Sequence, residues 1–371
     1  MNNTSESNEE AHPEVEDEFE LALEDDVYDE AALEGASNAT FSITSYGADY
    51  TVDTIIARLK SEAFFVPPFQ RRFVWSQRHA SRFIESLLLG LPVPGIFLYK
   101  DPVTNRHSVV DGQQRLRTLQ YFYSGLFGEK KFRLSGVRDE WAGKTYEDLT
   151  SSEKLKLDDS VVHATIFQQD EPKDSHKSLY FVFERINSGG IRLSPQEIRN
   201  CVNDGPFLEM IRRANEDENW RNLFGKKNAR LKDQELVLRF MAMRERSEEY
   251  KRPMRDFLND FTADYSHAAA SKLDELEEVF RTTAALVWGS IGSDAFRPSR
   301  ALNAAVCESV LFGLARRIDG GGSEPDKPSI DAAYRSLLAK PEYMRACERA
   351  TADDETVKMR QGLAVTAFAE V

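Results

Sequence analysis

The hydrophobic period of this chain changes once, near residue 205, and that change constrains the fold more than any other feature. Before it, strand-like runs ("GIFLYK" at 95–100, "HSVVD" at 107–111, "SVVHATIF" at 160–167) alternate with helical spacing. Val52, Ile55, Ile56 and Leu59 fall on one helical face, and Leu116, Leu119, Tyr123 and Leu126 recur at the same spacing. After it, "DQELVLRFMAM", "KLDELEEVFRTTAALVW" and "NAAVCESVLFGLARRI" are helical in period throughout. The expected fold class is α+β: an α/β domain over residues 41–205, then an all-α domain over 206–371. A length of 371 residues suits about two domains.

Residues 1–34 hold fourteen Asp and Glu and no Lys or Arg. A stretch of one charge sign with few apolar residues cannot bury enough surface to fold, so residues 1–40 are expected to form a disordered acidic tail. Removing those fourteen from the 62 acidic residues leaves 48, equal to the 48 Lys and Arg, so the net charge of −14 belongs to the tail. The neutral body carries two basic clusters, Lys130, Lys131, Arg133 and Arg138, then Lys226, Lys227, Arg230 and Lys232. No apolar run reaches bilayer length, and the N-terminus lacks the basic-then-apolar pattern of a signal peptide. Cys201, Cys307 and Cys347 form no C-x-x-C and read as buried, reduced thiols, so a cytoplasmic protein without a membrane partner is expected. The histidines show no metal spacing, so a structural zinc is not expected.

Turn chemistry adds detail. Pro67-Pro68 in "FFVPPFQRRFVW" forbids a helix and favours extended chain. Ser76 suits the N-cap of a helix with Phe83, Leu87 and Leu88 on its apolar face, ending near Gly90. "DPVTN" joins two strands into a hairpin, and Ser194-Pro195-Gln196-Glu197 has the residues of a capping box.

Asp111-Gly112 then stands between a strand and a helix in "VVDGQQRLRTL". Such a junction presents unpaired backbone N–H groups beside the positive end of the helix dipole, a ready anion site. Gly112 allows close backbone approach, Arg115 can fork onto phosphate oxygens, and Gln113 and Gln114 can donate without adding charge. Asp111 beside a bound polyphosphate calls for a cation, so a nucleotide ligand implies Mg2+. A second reading stays open from the residues alone: Asp111 caps the helix and Arg115 lies on the surface. A Walker loop is excluded, since no G-x-x-x-x-G-K-[ST] occurs.

Two further stretches bear on the choice. "PPFQRRFVW" sets Gln70, Arg71 and Arg72 between Phe69, Phe73 and Trp75; the plainer reading makes the aromatics core and the arginines solvent-facing. "FERINSGGIRLSPQEIRN" has the glycines of a helix C-cap, which leaves Arg185, Asn187 and Arg199 unexplained. Together the three stretches resemble the ParB/sulfiredoxin-like superfamily, and within it domain-of-unknown-function family 262. That branch includes the nucleotide-hydrolysing half of GmrSD-type restriction systems and the phosphorothioate-sensing SspE proteins. The resemblance runs from residue 50 to about 245, including "LKDQELVLRF".

The resemblance implies a ParB-like nucleotide-binding fold and a role in defence against foreign DNA. Gln70 and Arg71 match the family's Q-R and Trp75 its aromatic; Asp111 to Arg115 match its central motif, and Asn187, Gly189 and Gly190 its N-x-G-G turn. Arg72 departs from a frequent proline. His267 is the one histidine of the C-terminal helices, so the HNH nuclease domain of many relatives has no counterpart there.

The expected function is therefore a Mg2+-dependent NTP hydrolase or sensor in a DNA-targeting system, with DNA and a separate nuclease or effector as partners. Asp111, Gln114 and Arg115 are the expected catalytic residues and Asp111 the metal ligand. Gln70, Arg71, Gly112, Gln113, Arg115, Asn187, Gly189 and Gly190 are expected to bind the nucleotide. The alternatives are a non-hydrolysing nucleotide- or DNA-binding module that recruits an effector, and a ParB-like nuclease. The acidic tail either solubilises the chain or competes with DNA for the basic clusters at a high effective concentration. Under competition, a chain lacking residues 1–40 binds DNA more tightly than full length at low salt, with the gap closing as salt rises; equal binding identifies a solubilising tail.

Overall fold

The computed structural model describes residues 42–66, 73–101, 104–171, 180, 182, 194–203, 205–321 and 326–371. A five-stranded mixed sheet organises the first half. Its strands are β1 (Ser42–Thr51), β2 (Phe64–Phe65), β3 (Ile96–Lys100), β4 (His107–Asp111) and, last in sequence, β7 (Val161–Glu171), in the order β1-β7-β3-β4-β2. β3 and β4 form the expected hairpin, β1 runs antiparallel to β7, and β7 is parallel to β3. A two-stranded ribbon, β5 (Leu126–Phe127) with β6 (Lys130–Lys131), stands apart from this sheet.

One face of the sheet is covered by α1 (Val52–Lys60), α2 (Gln77–Leu89), α3 (Gln113–Ser124) and α4 (Ser151–Asp158). Val52, Ile55 and Ile56 are buried as the spacing predicts, and so are Phe83, Leu87 and Leu88. Ser76 accepts the backbone N–H of His79, and Gly90 ends α2 in the left-handed conformation at φ 73°. α3 stops at Gly125, so Leu126 belongs to β5 and is half exposed; the helical spacing extended one turn too far. The opposite sheet face is smaller. There Tyr99, Val110 and Phe167 pack against Tyr180 and against Ile198 of α5 (Pro195–Val202).

Ser194 and Glu197 close the expected capping box on α5. The hydroxyl of Ser194 also donates to the Arg230 carbonyl at 2.9 Å, and Arg230 pairs with Glu197 at 3.3 Å. Beyond α5 the described chain is helical, built on α6 (Pro206–Asn215), α7 (Glu218–Phe224), α8 (Lys232–Arg246), α9 (Met254–Tyr265), α10 (Ala270–Ser290) and α11 (Ala304–Asp319). Three shorter or later helices, Lys327–Leu338, Pro341–Glu348 and Asp354–Phe368, complete one continuous apolar core. Cys307 and Cys347 are buried free thiols, and burial pushes the Cys347 thiol up to about 11.

Arg199 answers one question left by its motif. It is 1% exposed, donates through Nε to Asn259 at 2.8 Å, and pairs through Nη1 with Glu235 of α8 at 3.0 Å. Gln196 and the Arg255 carbonyl accept its remaining hydrogen bonds. Glu235 also receives Arg239 at 3.0 Å. Burial pushes the Glu235 carboxyl up, but Arg239 and Arg199 outweigh it and hold the group below the ordinary carboxylate range. The α5 helix is thus tied to α8 and α9 by charged groups that cannot return to water while the fold persists. Removing one member of such a pair leaves an uncompensated buried charge. Arg199→Leu is expected to lower stability by about 3 kcal/mol, read by urea denaturation; an unchanged midpoint contradicts this account of α5.

Candidate functional site

The site predicted from "VVDGQQRLRTL" begins as a β-bulge. Asp111 pairs with Phe97 and Val109 with Leu98, so Val110 is an extra residue in β4. Directly opposed residues of an antiparallel pair point to the same face. Val109 and Leu98 lie in the helix-covered core, whereas Phe97 packs on the other side. The bulge therefore turns Asp111 away from the face that regular alternation would give it, which is what bulges beside functional sites commonly do.

Gly112 follows as the N-cap of α3, at φ 96° and ψ 7°. A side chain there meets two obstacles. The left-handed conformation disfavours Cβ, and a Cβ would lie 2.5 Å from Cγ2 of Ile96. The close approach that Gly112 permits on that side is with Ile96 of β3. The cap reading of Asp111 is corrected by the same geometry: glycine occupies the N-cap, and α3 has no side-chain cap. Glycine has no side chain with which to cap the first-turn N–H groups of α3.

Asp111 instead meets Arg115. Oδ2 of Asp111 accepts from Nη2 of Arg115 at 2.8 Å, one helical turn along, with side chains 45% and 15% exposed. Arg115 is therefore not on the surface, a second correction. Its Nε is buried without a hydrogen-bond acceptor among the described residues.

Gln114 has a divided role. Its Oε1 accepts the backbone N–H groups of Val74 at 2.9 Å and Trp75 at 3.2 Å, fastening the stretch after "PPFQRR" to α3. Its Nε2 is buried and, among the described residues, without a partner. The aromatics beside that stretch are partly buried against the core: Phe73 packs edge-on to Tyr121 and Phe127, and Trp75 to Phe83. Gln113 is buried at the first position of the helix.

The structure thus brings Asp111, Gly112, Gln113, Gln114 and Arg115 into one turn. Gln70, Arg71, Asn187, Gly189 and Gly190 lie outside the described residues, as does the acidic tail. Ile96 and the amides of Val74 and Trp75 escaped the sequence reading, because nothing local to them marks a tertiary contact. Among the described residues no three His, Cys, Asp or Glu side chains are grouped to hold a metal ion, and no helix is long and apolar enough to cross a membrane. The basic clusters are partly engaged: Lys227 pairs with Glu216 at 2.6 Å, and Arg133 lies 3.9 Å from Asp148.

Gly112→Ala is expected to cost at least about 2 kcal/mol, from the left-handed backbone and the Ile96 contact together. Ile96→Ala in the same chain should return only the steric part, a non-additivity measurable by a double-mutant cycle. Simple additivity would mean that Ile96 is not the obstacle.

No curated protein is matched by the chain. Residues 52–202, which include every sequence-predicted site residue, match the family model of the GmrSD restriction endonuclease, N-terminal domain.

Proposed function

We propose that the β4–α3 turn binds the phosphates of a nucleoside triphosphate, and that the chain is an NTP hydrolase or sensor of a restriction-like, DNA-targeting defence system. One observation carries the reading. Gln114 Nε2 and Arg115 Nε, on successive residues in the first turn of α3, are buried donors without acceptors among the described residues. An unpaired buried donor costs about 1–3 kcal/mol, so a ligand that supplies acceptor oxygens recovers that cost on binding. The α3 N–H groups and the helix dipole favour the same kind of ligand, an anion. The family model matched by residues 52–202 supports the restriction setting and DNA as a partner.

Asp111 fits a Mg2+ ion held mainly by phosphates and water. Mg2+ usually draws on one or two carboxylates, and Asp111 is half exposed with one oxygen committed to Arg115. When bound, the ion would neutralise phosphate charge; orientation falls to the chain itself, with Arg115 gripping phosphate and Gln114 holding residues 74 and 75 against the helix. Gln70, Arg71, Asn187, Gly189 and Gly190 complete the proposed site. Stabilisation of charge on a transferring phosphoryl group needs little else from the protein.

The Asp111–Arg115 pair also favours a second reading. A carboxylate spent on an arginine is a poor base, which suits a module that binds nucleotide or DNA phosphate and recruits a separate effector. Phosphate release from NTPs, with and without DNA, separates the two, and nicking of plasmid by the purified chain tests a nuclease. For the leading reading, Arg115→Lys should be nearly as damaging as Arg115→Ala, because a point charge cannot replace a planar fork. Each should lower NTP affinity or turnover by about tenfold or more, equivalent to roughly 1.5–3 kcal/mol. Full binding and turnover in folded Arg115→Ala would remove the proposed site.

A further inference from the structure

We propose that Asp111 masks Arg115 and that a divalent cation unmasks it. The inference rests on the reading of the turn as a phosphate site and adds how that site is regulated.

The guanidinium of Arg115 donates from Nη2 to Asp111 at 2.8 Å, and the side chain is only 15% exposed. The two groups are one turn apart on a rigid junction: Asp111 is placed by the bulge, and Arg115 by a helix that Gly112 starts. Four positions apart, the two side chains stay within reach of one another. A phosphate that engages Nη2 must displace the carboxylate, and one that reaches Nε, which has no acceptor among the described residues, still binds beside a like charge. A cation on Asp111 removes both penalties. It would neutralise the carboxylate and weaken its hold on Nη2, so that Arg115 would be left to the anion. Cation and anion binding are then positively coupled, each raising the affinity of the other by the same factor.

The pairing also explains the residue types. An asparagine at position 111 could occupy the bulge equally well, but it would leave Arg115 permanently open to any anion. An aspartate favours anions that arrive with a divalent cation, as nucleoside triphosphates do.

The test uses the full chain and inorganic pyrophosphate as probe, followed by titration calorimetry in metal-free buffer. Asp111→Asn is expected to bind pyrophosphate at least about fivefold more tightly than the unaltered chain, within the usual range of such couplings. Adding Arg115→Ala to Asp111→Asn should abolish the gain, showing that it passes through the arginine. Equal or weaker binding by Asp111→Asn, in a protein whose binding still depends on Arg115, overturns the masking and leaves the phosphate site intact. Absence of Arg115-dependent binding in every variant, with and without Mg2+, overturns the site itself and the masking with it.

Discussion

The buried ion pair between Arg199 and Glu235 ties the sheet-bearing half to the helices that follow. It stands where the last helix of the sheet-bearing half, α5, meets the helices that follow. Taking both charges from water is expensive, and the cost is offset by hydrogen bonds that Arg199 donates to Gln196 and Asn259 and by a second pair from Arg239 to Glu235. The cluster holds α5 against α8 and α9. Its consequence reaches the site. Ile198 on α5 packs with Val110 on the second sheet face, and Val110 is the bulge residue that turns Asp111. The lock between the halves and the orientation of the carboxylate are thus two sides of one packed layer.

Within the site, several constraints agree on one geometry. Ile96 fills the space beside Gly112, which keeps the turn tight. Gln114 ties the chain at Val74 and Trp75 to the first turn of α3, while Phe73 and Trp75 anchor that stretch in the aromatic core. Each contact alone is modest, about 1 kcal/mol for a hydrogen bond of this type. Together they hold Gln114 Nε2 and Arg115 Nε buried without acceptors among the described residues. A turn held in place with two adjacent buried donors unmatched among the described residues suits a preorganised anion site.

Much of this was legible in the sequence where the physics is local. Ser76, Gly90 and the Ser194–Glu197 box act within four or five residues of themselves, and the hairpin at 96–111 follows from its alternation and its turn. β1 was not legible. "SITSYGADYT" pairs only with β7 at the sheet edge and leaves most of its residues exposed, so no alternation marks it. The α4 helix buries only Leu157, although its Thr150–Glu153 capping box was present to be read. At the site, the residue types were readable and their pairings were not. That Arg115 answers Asp111, and that Gln114 spends its oxygen on residues forty positions earlier, depends on how β4 and the extended stretch come together in space.

The central claim is that a phosphoryl ligand sits on the first turn of α3. Nuclear magnetic resonance of the full chain with labelled glycine and glutamine amides addresses it directly. Addition of an NTP with Mg2+ should shift the Gly112, Gln113 and Gln114 signals, with the Gln114 side-chain amide moving as its Nε2 gains an acceptor. Binding that moves other signals and leaves these unchanged would place the ligand elsewhere and contradict the account.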